Sequence, residues 1–192
     1  MISHEFQFIF IHINKCGGTS IEKIFIPNAD RQDVPFKHHT AESYRSRFPR
    51  EFRRYFKFSI VRNPWDWLIS RYFWSRDHQK IIDYSFREFL HRLEDGQPLS
   101  DKVRWLTRAM QSQTRRLTVD GRMSMDFVGR FENLQRDFDK VCSTLGIPLV
   151  TLPHVFKTEH AGYTKYYDIE MQEIVARLYA DDIGEFGYKF QE

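Results

Sequence analysis

The chain has 192 residues, 41% hydrophobic and 16% aromatic, enough for a single domain spanning 1–192 with a full core. Its net charge of +3 is mild, which suits an anionic ligand in a local pocket better than a nucleic-acid surface. Two cysteines, Cys16 and Cys142, give no disulfide framework. With no evident signal peptide or membrane span, they point to a soluble, cytoplasmic protein.

Residues 6–13 are apolar apart from Gln7 and His12, which predicts a buried strand. The run stops at Asn14-Lys15-Cys16-Gly17-Gly18, and Thr19-Ser20-Ile21-Glu22 begins a helical pattern. Strand, glycine loop and helix start together make an anion cradle. The glycines let successive N–H groups turn toward one point, and the helix end adds its dipole and orphan donors. Lys15 supplies a point charge, and Thr19 and Ser20 supply hydroxyls. A Walker loop places lysine after its last glycine; here Lys15 precedes the glycine pair. An ordinary strand-to-helix turn with a surface lysine would share the pattern.

Further along, Phe36-Lys37-His38-His39-Thr40 leads into a basic segment, Arg45 to Arg54, that predicts a solvated helix face. Residues 55–61 predict a second core strand, ending in Arg62-Asn63-Pro64-Trp65. Pro64 fits the first turn of the next helix and Asn63 its cap. Ser85-Phe86-Arg87-Glu88 is a capping box for another helix. Residues 98–117 predict a helix followed by a loop, and residues 125–131 a third strand. Glu132-Asn133 is expected to cap the helix that follows, which Gly146 and Pro148 close. A polar loop, residues 153–167, precedes a last helix over residues 169–180.

Apolar strands separated by helices predict an α/β, P-loop-like three-layer fold with a mainly parallel sheet covered by helices. Ligands in such sheets sit at the carboxyl ends of strands. Both Lys15–Ser20 and Arg62–Trp65 lie there. Arg62, with its planar fork, and Ser70, eight residues later, could hold a second phosphate. A helix-capping role for Arg62, or its pairing with Asp66, is the plain alternative.

These two elements resemble those of sulfotransferases that use 3′-phosphoadenosine 5′-phosphosulfate (PAPS), in particular the carbohydrate type. Those enzymes carry a P-K-T/A-G-G/S-T-S/T loop and an R-N/D-P-W/Y-x-R-x-x-S-x-Y/F element. The matches are Asn14-Lys15-Cys16-Gly17-Gly18-Thr19-Ser20 and the stretch from Arg62 to Tyr72, with Asn14 replacing proline and Trp67 the basic residue. The segments from Phe127 to Leu134 and from Tyr166 to Tyr188 are also similar, so the likeness runs nearly end to end. No membrane anchor is evident, unlike in the Golgi-bound members.

The resemblance implies sulfuryl transfer from PAPS to a hydroxyl or amine of an acceptor, a glycan or small alcohol, leaving 3′,5′-adenosine bisphosphate. Lys15, Cys16, Gly17, Gly18, Thr19 and Ser20 would hold the 5′-phosphosulfate, and Arg62 and Ser70 the 3′-phosphate. Lys157, Thr158, Tyr163 and Thr164 would close over the nucleotide, and Trp105, Arg108, Gln111 and Gln113 would line the acceptor site. An H-x-S/T histidine of such enzymes corresponds to His38, making it the expected base, with His39 in reserve. His12 reads as a core or supporting histidine. No metal, nucleic acid or membrane span is implied. A magnesium-dependent P-loop kinase and a non-catalytic nucleotide-binding module are the competing readings.

Overall fold

The computed structural model of the chain describes residues 1–26, 38–153 and 161–191. The chain runs through β1 (Ile2–Ser3), β2 (Phe8–Ile11), α1 (Gly18–Phe25), α2 (Ala41–Arg47), α3 (Pro49–Arg54) and β3 (Phe56–Val61). There follow α4 (Pro64–Phe73), a π-helical turn (Trp74–His78), α5 (Phe86–Glu94) and α6 (Trp105–Ala109). The remainder forms α7 (Gln113–Leu117), β4 (Thr118–Val119), β5 (Arg122–Met123), β6 (Phe127–Arg130), α8 (Leu134–Leu145), α9 (Ile169–Leu178) and α10 (Ala180–Phe186). Short 3₁₀ turns stand at Phe131–Asn133 and Tyr163–Tyr166.

Two compact units are formed: Met1–Arg62 with Gln113–Phe156, and Asn63–Ser112 with Lys157–Glu192. The first contains a mainly parallel sheet of order β1-β2-β3-β6, in which only β1 runs antiparallel. Every residue of β2 is buried, as an unbroken aromatic and β-branched strand inside a covered sheet requires. Phe25 of α1 meets Phe8 of β2 at 4.6 Å and Phe138 of α8 at 6.2 Å between ring centroids, so both helices cover one face. Asp137 of α8 accepts the Arg130 N–H at 2.8 Å and so fastens that helix to the end of β6.

Parallel pairing sets Ile11 beside Ser59 and Val61 beside Arg130, so the carboxyl ends of β2, β3 and β6 lie side by side. That is where the sequence expects ligands. A hairpin, β4–β5, turns through Asp120 and Gly121, both at positive φ. Asn133 makes no capping hydrogen bond, contrary to expectation: the 3₁₀ turn before α8 takes up the entry instead.

In the second unit the helix ends follow their sequence signals. Asn63 accepts the Trp65 N–H at 3.1 Å, Ser85 the Glu88 N–H at 3.2 Å and Asp168 the Met171 N–H at 2.9 Å. Two boundaries differ from prediction. The segment predicted as helix then loop contains α6, and α7 occupies the part read as loop. The last helix breaks at Tyr179, whose buried hydroxyl donates to the Met110 carbonyl at 2.8 Å, and α10 restarts beyond it. Among the described residues, no helix is long and apolar enough to cross a membrane.

Candidate functional site

The turn from β2 into α1 has the geometry its glycines suggest. Lys15 and Gly17 both take left-handed backbone angles, φ 65° and 75°. Left-handed residues alternating with ordinary ones make successive N–H groups converge on an anion. Gly17 is also the N-cap of α1, so no side chain there satisfies the first-turn donors. Neither glycine has room for a methyl group. A Cβ on Gly17 would stand 2.5 Å from Leu134 Cδ2, and one on Gly18 would stand 2.3 Å from His12 Cδ2.

His12 therefore forms the floor under the loop. Its Nδ1 lies 2.6 Å from Glu22 Oε1, and both side chains are almost fully buried. The pair ties the end of β2 to α1, so the loop between them is held at both ends. His12 in a supporting place was expected. Its partner Glu22 was not, because ten residues of sequence separate the two.

Arg62, at the end of β3, reaches this loop. Its Nη1 donates to the Lys15 carbonyl at 3.0 Å, and its guanidinium lies 4.1 Å from the centre of the Phe131 ring. The arginine that opens the second sequence motif thus touches the loop of the first. Gln113 fixes the Arg62 backbone: its Oε1 accepts the Arg62 N–H at 2.9 Å and its Nε2 donates to the Arg62 carbonyl at 2.8 Å. The Cys16 thiol also approaches Gln113 Oε1 at 3.6 Å. Gln113 is fully buried, so its amide serves the loop's framework. The acceptor contact suggested by sequence finds no exposed surface at this residue.

His38 joins the same unit from the far side of residues 27–37. It is half-buried, at φ 64°, and its ring packs edge-on against His12 with centroids 4.5 Å apart. Its Nδ1 lies 3.3 Å from the His12 carbonyl. A carbonyl can only accept, so Nδ1 is the donor in this contact. His39 is exposed; partial desolvation, then Arg47, the N-terminal ammonium and Arg116, lower its pKa from the ordinary 6.5.

Arg116, which the sequence reading passed over, is buried at this site. Its guanidinium donates to the His38 carbonyl. A signal existed: Gln113 and Arg116 stand three apart, on one helical face.

The second unit holds the remaining expected residues. Ser70 is fully buried within α4. Trp105, Arg108 and Gln111 are exposed on and just after α6. Tyr163 is half-buried and donates to the Phe190 carbonyl, whereas Thr164 is exposed. Lys157 and Thr158 lie outside the described residues.

A sequence model of the sulfotransferase family matches residues 1–189. The chain belongs to the sulfotransferase family. It is also similar to an uncharacterized protein of Archaeoglobus fulgidus, 32% identical over 98 residues, half of this chain and 72% of that one. Among solved structures it resembles the crystal structure of a sulfotransferase from Alicyclobacillus acidocaldarius. That match has a TM-score of 0.51 and 18% identity, covering 93% of this chain and 92% of the other. The likeness supports the α/β fold with its mainly parallel sheet flanked by helices, and family membership supports sulfuryl transfer in general. Among the described residues, no group of His, Cys, Asp or Glu side chains could hold a metal ion.

Proposed function

We propose that this sulfotransferase moves a sulfuryl group from PAPS to a hydroxyl of a carbohydrate, a glycoconjugate or a small alcohol. The reading rests chiefly on one observation, the hydrogen bond from Arg62 to the Lys15 carbonyl, which joins two anion-binding elements at adjacent strand ends. A donor with phosphate groups at both the 5′ and 3′ positions matches two such elements. The cradle at Gly17 and Gly18, too tight for any side chain, fits a 5′-phosphosulfate approached by backbone N–H groups.

In this reading, Lys15, the 16–19 backbone and the hydroxyls of Thr19 and Ser20 hold the 5′-phosphate and stabilise its charge as it leaves. Arg62 takes the 3′-phosphate, the group that separates this donor from ordinary adenylates. His38 Nε2 accepts the acceptor's proton as the acceptor oxygen bonds to sulfur. The bond from sulfur to the bridging oxygen breaks, and its electron pair stays on the 5′-phosphate. Positioning and charge neutralisation supply most of the rate. His39, exposed beside it, is the reserve. Exposed Trp105, Arg108 and Gln111 are assigned to acceptor recognition.

Labelled sulfate transfer from PAPS to a panel of glycan, lipid and small-alcohol acceptors tests this, read by mass spectrometry. His38→Asn should lower turnover about 10²–10⁴-fold, the usual range for a general base. Turnover by His38→Asn equal to wild type would remove His38 from the mechanism. No transfer by wild type to any acceptor would count against the enzyme reading.

A further inference from the structure

Arg116 is a buried arginine that makes little use of its donors. It is 7% exposed on α7, and of its five donors Nη2 bonds the His38 carbonyl while the buried Nε has no hydrogen-bond partner. Among the described residues no carboxylate pairs with it. Burial pushes its pKa below an arginine's ordinary value, and Cys16 is the group that opposes this. A buried guanidinium without a counter-charge weakens a fold, and stabilising partners are easily supplied by a single Asp or Glu. The chain supplies none there among its described residues.

Its neighbours say what the charge is kept for. Cys16 belongs to the loop assigned to the donor phosphosulfate. His38 is the assigned base, and His39 also feels the same charge. A group passing from donor to acceptor must travel between that loop and that base. We propose that Arg116 is a catalytic residue that holds the oxygens of the sulfuryl group while it is transferred, supplying the counter-charge this anion lacks. The inference rests on the sulfuryl-transfer reading above. In the step, sulfur's bond to the 5′-phosphate oxygen breaks with its electron pair left on phosphate. A new bond forms from the acceptor oxygen, whose proton goes to His38. Arg116 neither gains nor loses a proton.

The test needs no knowledge of the natural acceptor. Wild type, Arg116→Gln and Arg116→Lys are compared by calorimetry with PAPS and with 3′,5′-adenosine bisphosphate, which lacks the sulfuryl group. Release of labelled sulfate from PAPS to water, and melting temperature, are measured alongside. Arg116→Gln should bind the bisphosphate within about threefold of wild type yet release sulfate about 10²-fold more slowly, the usual loss for one charge-stabilising donor. Arg116→Lys should recover part of that rate. Melting of Arg116→Gln should match or exceed wild type, because an uncompensated buried charge has been removed. Water carries no anionic group, so the loss cannot come from recognition of a charged acceptor.

Unchanged sulfate release and PAPS affinity in Arg116→Gln would overturn the proposal. So would equal weakening of both nucleotides, which marks a merely structural role. Should Arg116→Gln not fold, Arg116→Lys decides alone: release slowed at least tenfold with bisphosphate binding kept supports the proposal, and wild-type release overturns it. A wild type that binds no bisphosphate would instead remove the sulfuryl-transfer reading, and this inference with it.

Discussion

The Arg62 guanidinium donates to the carbonyl of Lys15 at 3.0 Å while its carbon stands over Phe131, 4.1 Å from the ring centre. Adjacent parallel strands carry the two residues to the same end of the sheet, and this contact fixes the Arg62 side chain against the loop after β2. Arg62→Lys cannot reproduce it, since an ammonium is not a planar fork and stacks less well. Both Arg62→Lys and Arg62→Ala should weaken 3′,5′-adenosine bisphosphate at least tenfold in calorimetry. Retention of wild-type affinity by Arg62→Lys would show that only charge matters there.

Gly18 lies against the His12 ring so closely that Gly18→Ala must displace one or the other. Overpacking of this kind costs about 1–3 kcal/mol. A lowered urea midpoint together with weakened nucleotide binding is the expected outcome. An alanine that leaves both unchanged would mean the loop shifts freely, and the rigid floor supplied by His12 and Glu22 would be disproved.

Gln113 uses both ends of its amide on the Arg62 backbone and is fully buried. Gln113→Leu strands a buried N–H and a buried carbonyl, for a loss of about 1–3 kcal/mol each. Urea unfolding reads the loss directly. A variant as stable as wild type would contradict the bridging role.

Asp137 gives a pH dependence of known sign. Burial alone would raise its pKa. The Arg130 N–H hydrogen bond, Lys140 and Arg136 outweigh this and hold it below the ordinary 3.8. A carboxylate with a depressed folded pKa binds fewer protons folded than unfolded, so its stabilisation is complete above the unfolded value. It is lost as pH falls through the folded one. Asp137→Asn should therefore be less stable than wild type at pH 7, and the gap should close below about pH 4. A gap that persists unchanged at acid pH would show that packing, not charge, is at stake.

Much of this fold is legible in the sequence. The mostly apolar run before Asn14 and the aromatic, β-branched stretch before Arg62 read as core strands because apolar side chains dominate both, and Gly17-Gly18 marks a turn where neither residue has room for a side chain. The hairpin at Asp120-Gly121 had a plain signal, since Asp-Gly is the preferred two-residue turn, but its strands are only two residues long. What stayed hidden depends on residues far apart in sequence. Cys16 and Gln113 meet across 97 positions, Arg116 and His38 across 78. Arg116 follows Arg115 and reads like one of a solvated pair, although Arg115 is exposed and Arg116 buried. Burial of a charge is a tertiary fact that local pattern does not carry.

Calorimetric titration of the wild-type chain with 3′,5′-adenosine bisphosphate and with ATP, each with and without chelator, tests the central claim most directly. The account predicts tight bisphosphate binding that is indifferent to chelator, and much weaker binding of ATP. Tight, magnesium-dependent ATP binding with no bisphosphate binding would contradict it.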